Sequence, residues 1–497
     1  MNKIVLESQE NLVSKNWYPV TLDQISEIIM GQAPPSISYN KNRKGILFVK
    51  VGEFGKLFPK KKVWTTDPLR IAGKNDVLVC VVGSIGKINL GIECAIGRSV
   101  AAIKPNLLIL NQKFLYYFLT GHIRKLKESQ QGTTHGVISQ NKLNQFKILL
   151  PPLNEQKRIV SKIEELFSLI ESDLHELQKI KNQIIHYKKS LLFSAFNGNM
   201  TEKWRNENPD FLGKDTVEDS LKQRQRLWGK KEKSKKNPRK YSHPVKPSLS
   251  GLPKIPNSWT WASFEEISER VTVGHVGSMR NEYLDYGIPF LRSQNVRENR
   301  FDEKGLKFIS KEFHEKLSKS KLSPNDIVAV RSGDVGTSCV IPETLKDANC
   351  SDLLIIKNPL GINPDYGAFY LNSITESRVR QLQVGIALTH FNTKSLAKLA
   401  IPIPHLEEQN VMVMEIQKSY SFVENTTKII NFLEIRLNLL KQSILNSAFE
   451  GKLIPQDPND EPAEILLQKI KQEKERIEQK QRIIKVKAPK RRRKNVR

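Results

Sequence analysis

The sequence predicts a mixed α+β chain built twice over, each copy a globular domain followed by a long coiled-coil helix. Three observations carry this. First, Lys188-Lys-Ser-Leu-Leu-Phe-Ser-Ala-Phe-Asn-Gly198 returns as Lys441-Gln-Ser-Ile-Leu-Asn-Ser-Ala-Phe-Glu-Gly451, and Leu153-Asn-Glu-Gln156 returns as Leu406-Glu-Glu-Gln409 at the same offset of 253. Second, apolar residues after Pro404 fall at Met412, Ile416, Val423, Ile430, Leu433, Leu437, Leu440 and Ile444, with Ser419 and Thr426 completing alternate steps of four and three. That spacing is a coiled-coil seam. Third, the regions before each helix hold short apolar runs bounded by Gly, Pro and Asn-Asp, which read as strands with helices between them.

Taken in order, residues 1–150 form the first globular domain, with strands expected at Ile46–Val51 and Val77–Val82 and a helix at Lys113–Leu126. Residues 151–198 form the first long helix, opened by Pro151-Pro152 and stopped by Gly198. Its stripe runs through Ile159, Ile163, Leu166, Ile170, Leu174, Leu177, Ile180, Ile184, Tyr187 and Leu191, with a charged opposite face. Residues 199–258 read as a polar, basic, flexible linker. The second globular domain, 259–402, repeats the first: Trp17 through Ile25-Ser-Glu27 matches Trp259 through Ile267-Ser-Glu269, and Gly45-Ile-Leu-Phe-Val-Lys50 matches Gly287-Ile-Pro-Phe-Leu-Arg292. Asn75-Asp-Val likewise matches Asn325-Asp-Ile, with strands expected at Ile327–Val330 and Leu353–Ile356 and a helix at Tyr366–Leu382. The second long helix spans 403–451, and residues 452–497 carry a charged helix, Ala463–Gln481, and a basic tail. A chain of two similar halves suits the reading of a two-part target.

The 497 residues carry a net charge of +28, unevenly spread. From Lys222 to Lys246 there are eleven Lys or Arg against one acid, and from Lys480 to Arg497 ten and none. The rest is only mildly basic, so the excess points to nucleic acid or a membrane surface met by flexible segments. No run approaches the ~20 apolar residues of a membrane span, and the N-terminus does not read as a signal peptide. Cys80, Cys94, Cys339 and Cys350 form no CxxC pair and read as buried thiols of a cytoplasmic protein. There is no phosphate-loop motif, no Asn/Asp-Pro-Pro-aromatic methyltransferase motif, and no HExxH-like spacing among nine histidines. Gly83-Ser-Ile-Gly86 and Gly333-Asp-Val-Gly336 recur at matching places and read as tight turns after a strand. The pattern is that of a reader rather than a catalyst.

Gly31-Gln-Ala-Pro-Pro, Gly287-Ile-Pro-Phe-Leu-Arg-Ser-Gln-Asn295, Leu150-Pro-Pro-Leu-Asn-Glu-Gln-Lys-Arg-Ile159, Ser190-Leu-Leu-Phe-Ser-Ala-Phe196 and Gly451-Lys-Leu-Ile-Pro-Gln-Asp-Pro-Asn-Asp-Glu-Pro462 occur in order. Together they resemble the specificity subunit of type I restriction–modification enzymes, from about Trp17 to Gln479. The resemblance implies that each globular domain is a target-recognition domain for one half of a split double-stranded DNA sequence. It implies that the two long helices pack antiparallel as a spacer, on which modification subunits and a restriction subunit assemble. No cofactor is expected in this chain; S-adenosylmethionine, ATP and Mg are expected on the partner subunits, which would methylate adenine and cleave DNA. Gly31-Gln-Ala-Pro departs from the commoner Gly-x-Thr-Pro, and the second domain has Gly274-His-Val-Gly277 there.

Base reading needs forked donors and amides, Arg for guanine and Asn or Gln for adenine. The first domain offers Gln32, Lys50 at the position of Arg292, and the loop with Gln131, Thr133, Thr134 and His135. The second offers Arg292, Ser293, Gln294, Asn295, Arg331, and a loop with His390 and Asn392. Each could instead cap a strand or helix. Arg491, Arg492 and Arg493 are candidates for phosphate contact, which adds affinity without sequence information. A helix from Leu153 to Phe196 would be about 66 Å long, one to two turns of DNA. A methylation-only system and a coiled-coil scaffold without DNA binding stay open as alternative functions.

Overall fold

The computed structural model describes residues 16–128, 136–233, 237, 239–382 and 392–472 of the chain. Two units emerge, one made of residues up to 177 and from 431 onward, the other of residues 178–430. The first unit runs β1 (Tyr18–Thr21), β2 (Ser26–Met30), β3 (Ile46–Val49), β4 (Val77–Cys80), β5 (Ile88–Leu90), β6 (Cys94–Ile96), β7 (Val100–Pro105), α1 (Gln112–Gly121), β8 (Lys147–Leu150) and the long α2 (Leu153–Phe196), of which it holds the first part. The second takes the rest of α2, then α3 (Gly213–Lys233), β9 (Thr260–Ser263), β10 (Ser268–Val273), β11 (Ile288–Leu291), β12 (Ile327–Val330), β13 (Ser338–Val340), β14 (Ala348–Cys350), β15 (Leu353–Pro359), α4 (Pro364–Leu382), β16 (Ala400–Ile403) and the first part of α5 (Leu406–Phe449).

Both domains have one plan. An antiparallel sheet is ordered β2-β7-β4-β5 in the first and β10-β15-β12-β13 in the second. Its central strands are apolar on both faces (Val77-Leu-Val-Cys80, Ile327-Val-Ala-Val330) and wholly buried, as a strand between two layers must be. A smaller sheet is built on a parallel pair, β3 with β6 and β11 with β14. A two-stranded ribbon, β1 with β8 and β9 with β16, joins domain to helix. The glycine pairs are turns after β4 and β12, with positive φ at Gly83, Gly86, Gly333 and Gly336. The expected helix at 113–126 is broken at His122 into α1 and a short helix, Ile123–Glu128. The four cysteines are buried and free, and burial pushes the Cys94 and Cys339 thiols up to about 12.

α2 and α5 are each 44 residues long, opened after the prolines and closed at Gly198 and Gly451, whose φ values of +88° and +71° are the left-handed stop. Within each unit the two helix segments run antiparallel. In the first, Lys441 sits 3.6 Å from Glu171 and over the Phe167 ring, and Ile163 and Ile170 share a core with Ile444 and Leu445. In the second, the Tyr187 hydroxyl reaches Ser419, Lys188 lies over Tyr420, and Leu192 and Ala195 pack with Met412 and Ile416. The face away from the seam is not purely charged. Phe422, Ile429, Phe432 and Leu439 of α5 are all more than half exposed.

The segment 199–258 differs from the flexible linker expected. α3 lies on the second domain with Thr216 and Ser220 buried, and the Ser220 hydroxyl donates to the Leu360 carbonyl. Arg224 donates from Nε to Ser268 O at 3.2 Å, and the returning chain is fixed where Val245 N donates to Glu265 at 3.0 Å. The buried side of α3 is Gly, Thr, Val and Ser, so it carries no apolar stripe to notice. A helix over 463–472 packs on the first domain, with Ala463 buried and Leu466, Leu467 and Ile470 against the first core.

One hydrogen-bonded latch occurs in both units. Trp17 Nε1 donates to Glu155 and Trp259 Nε1 to Glu408, each at 2.9 Å. The next residue, Gln156 or Gln409, accepts from Asn111 N or Asn363 N and donates to Pro151 O or Pro404 O. The carboxylates differ in their further partners. Glu408 also accepts from Thr201 and from Arg205 at 2.7 Å, whereas among the described residues Glu155 adds only Gln456 at 3.4 Å, and burial raises the pKa of Glu155. A raised carboxyl pKa means that Glu155 favours the folded state most below its unfolded value and loses that contribution as pH rises through the raised one. Glu155→Gln should therefore leave the unfolding midpoint in urea unchanged or higher at pH 7, the difference vanishing below about pH 4.5. Glu408→Gln should cost about 3–5 kcal/mol, because it leaves the Arg205 guanidinium buried without its countercharge.

Candidate nucleic-acid interface

In both domains the parallel strand pair ends beside the central strand of the larger sheet, and backbone hydrogen bonds fix that corner. In the first domain Gly97 N donates to Val49 O, Gln32 N to Ile96 O and Gly31 N to Val100 O, at 2.9–3.0 Å. In the second Ser351 N donates to Leu291 O, His275 N to Cys350 O and Gly274 N to Leu353 O, at 2.7–3.0 Å. Lys50 and Arg292 therefore correspond, as the sequence alignment expected. Gln32 corresponds to His275, which was not among the expected readers although Gly274-His-Val-Gly277 stood in the right place. Gln32, Lys50 and the bend after β6 are brought together in one domain; His275, Arg292, Arg331 and the bend after β14 in the other.

The corner is backbone-rich. A Cβ at Gly31 would lie 2.2 Å from Gly97 O, and one at Gly274 2.8 Å from Cys350 O, so both need glycine for close approach. The side chains above this frame differ. Lys50 extends over the rings of Tyr39 and Phe48 at 5.6 and 5.7 Å. Arg292 lies over Tyr283 at 5.7 Å, and its Nη2 donates to Gly305 O, which Gln294 also reaches at 3.3 Å. The His275 ring meets Phe313 edge-on. Arg331 Nη1 donates to Asp352 Oδ1 at 2.8 Å, and the Ser332 hydroxyl to Asp352 Oδ2 at 3.1 Å. Asp352 has a φ of +50°, a left-handed bend that a non-glycine residue occupies at some cost. That bend turns its carboxylate onto Arg331.

Asn295 is a correction. It is fully buried, its Oδ1 accepts from Arg292 N at 3.1 Å, and its Nδ2 donates to Asp302 O at 2.9 Å. It closes a single 3-10 turn, Ser293–Asn295, and no groove could reach its amide. Glu53 does the same for Lys50 N in the first domain. Asn392 caps the helix Thr393–Ala397, its Oδ1 accepting from Ser395 N at 2.9 Å, while the residue itself is exposed. Gln32 and Gln294 are exposed, and Ser293 is half-buried. Gln131, Thr133, Thr134, His135, His390, Arg491, Arg492 and Arg493 lie outside the described residues. Among the described residues no helix is long and apolar enough to cross a membrane.

Comparison with known proteins gives the family. The family described as type I restriction modification DNA specificity domain matches residues 14–186 and 271–434, more than half of the chain and both copies of the repeat. The type I restriction enzyme EcoBI specificity subunit of Escherichia coli is 23% identical over 494 residues, 93% of either chain. A putative type I restriction enzyme MjaX specificity subunit of Methanocaldococcus jannaschii is 32% identical over 206 residues, 41% of this chain and 48% of that one. Among solved structures, a chain from work on assembly and conformational transition of the type I R-M system superposes with a TM-score of 0.62 at 17% identity, covering 89% of this chain and 99% of its own. The HsdS subunit of Thermoanaerobacter tengcongensis gives 0.52 at 16% identity, covering 89% and 98%. The chain belongs to the type I restriction–modification DNA specificity family.

Proposed function

We propose that this chain reads a bipartite DNA target, one half with each globular domain, as the specificity subunit of a type I restriction–modification complex. The observation that carries this is the duplicated corner: one pattern of backbone hydrogen bonds recurs in both domains while the side chains mounted on it differ. A frame that is kept while its polar side chains vary suits two readers of unlike base sequence. In the first domain the candidates are Gln32 and Lys50; in the second, Arg292, Gln294 and Arg331, with His275 added. The chain would work in the cytoplasm, with S-adenosylmethionine, ATP and Mg on its partners.

The helices would serve as ruler and platform. A 44-residue helix is about 66 Å long, so a rigid pair would fix the gap between the half-sites. On α5, Phe422 and Ile429 are seven residues apart in the second unit, and Phe432 and Leu439 seven apart in the first, all exposed. Each such apolar pair is a natural seat for a helix of a modification subunit. The basic residues of α3 would add sequence-independent attraction for phosphate.

The reading is tested by co-expressing the chain with its modification subunit and mapping N6-methyladenine across a genome. A two-part motif with a constant gap is expected; a complex that forms, binds S-adenosylmethionine and leaves no motif would instead favour a scaffold that does not read DNA. Inserting four residues near Lys179 and near Asn431 should lengthen the gap by about two base pairs, from ~6 Å of added helix. An unchanged gap with full activity would rule out the ruler. Arg331→Lys should relax one position in a single half-site, since lysine keeps the charge but loses the fork. Asn295→Ala should leave the motif intact and lower stability by about 1–3 kcal/mol; a motif change without destabilisation would reverse its reassignment.

A further inference from the structure

The two corners differ in a way that singles out Arg98. In the second domain the corner carries, besides Arg292, the guanidinium of Arg331, projecting just past β12 and held by Asp352 from the bend after β14. The residue in Arg331's place in the first domain, just past β4, is Val81, which is completely buried and whose N–H donates to Ser99 O at 2.9 Å. No guanidinium can come from there. The bend after β6 supplies one instead. Arg98 stands one residue beyond Gly97, as Asp352 stands one beyond Ser351, in a bend one residue longer, since Val100 and Leu353 hold the same strand position.

We propose that Arg98 is the base-reading arginine of the first domain, the counterpart in role of Arg331 though not in chain position. This rests on the reading that each domain contacts one half of the target. Three features support it beyond its place. Arg98 is exposed, and among the described residues it makes no hydrogen bond or ion pair, so all five donors of its fork are free. Its bend is pinned on both sides, by Gly97 N to Val49 O and by Val100 N to Gly97 O, so the side chain starts from a fixed point. The two residues before it are tied to both other candidates' backbones, Ile96 accepting from Gln32 N and Gly97 donating to Val49, next to Lys50. An amide, an ammonium and a guanidinium on one corner form a donor-rich set fit for a major-groove edge, with Arg98 suited to the O6 and N7 of a guanine.

The alternative for an exposed arginine is a phosphate contact, and lysine separates the two because a phosphate accepts either cation whereas bidentate guanine recognition needs the fork. The experiment uses the full chain co-expressed with its modification subunit, comparing wild type, Arg98→Lys and Arg98→Ala by genome-wide methylation mapping. Thermal melts would check that each variant folds. The expected result is that both variants lose preference at one base pair by roughly 5- to 150-fold, in the half-site opposite to the one relaxed by Arg331→Lys. An unchanged motif in both variants would overturn the proposal. So would a uniform loss in Arg98→Ala that Arg98→Lys restores, or relaxation in the same half-site as Arg331→Lys. A wild-type complex that yields no two-part motif would sink the underlying reading instead, leaving Arg98 with no target to specify.

Discussion

The fold depends on how each domain is fastened to its helix, and that fastening is the Trp–Glu–Gln latch. A helix start carries unsatisfied N–H groups and a sheet edge carries unsatisfied carbonyls; joining them in a dry interface demands that every one be paired. Gln156 and Gln409 do this with both ends of one amide, accepting from the domain and donating back to the prolyl turn. Trp17 and Trp259 then pack over the junction while placing their only polar atom on the neighbouring carboxylate. A buried network of this kind fixes orientation as well as contact, since a tilt would break several bonds together. Without a fixed angle between domain and helix, helix length could not be translated into spacing.

Much of this was legible in the sequence for a physical reason. The Leu-Asn-Glu-Gln and Leu-Glu-Glu-Gln words, the prolines before them and the glycines after each helix are local devices, and local devices leave local signatures. The correspondence of Lys50 with Arg292 was legible too, because both follow a short apolar strand. Three things were not. α3 buries Gly213, Thr216 and Ser220 rather than a row of large apolar residues, so its docking left no periodic trace. Asn295 looked like a reader because Asn is good at both tasks, and only the partners of its amide distinguish a turn clasp from a base contact. Arg98 was hidden because the offset between copies drifts from 242 to 253 through small insertions. Which residue faces which at the corner is decided by hydrogen bonds, not by counting.

The fastened position of α3 changes the electrostatic argument. A flexible basic segment would sample phosphate over a wide area and add affinity without direction. Held on the second domain by Arg224 and by the return at Val245, its lysines become a local field beside one reader. Lys231 is already paired with Glu269, so that ammonium is less available to phosphate than its neighbours. The net charge of +28 already counts every acid, so docking α3 changes where the positive charge lies rather than its sum.

Duplication also separates what must stay from what is free to differ. The latch, the glycine corner and the stop glycines are the same in both copies because each satisfies backbone groups, and backbone groups are identical whatever the sequence. The side chains above the corner satisfy nothing in the protein that another residue could not. That freedom has a limit, visible at the bend after the parallel strand pair. Asp352 is tolerable at a left-handed φ because it gains Arg331 and Ser332 as partners. An arginine there has no acid to meet, since Val81 stands in Arg331's place. The two positions therefore constrain each other: a change just past the central strand alters which residue is useful at the bend. Exchanging one residue between copies without the other would leave Asp352 without its guanidinium or set a second cation beside Arg331.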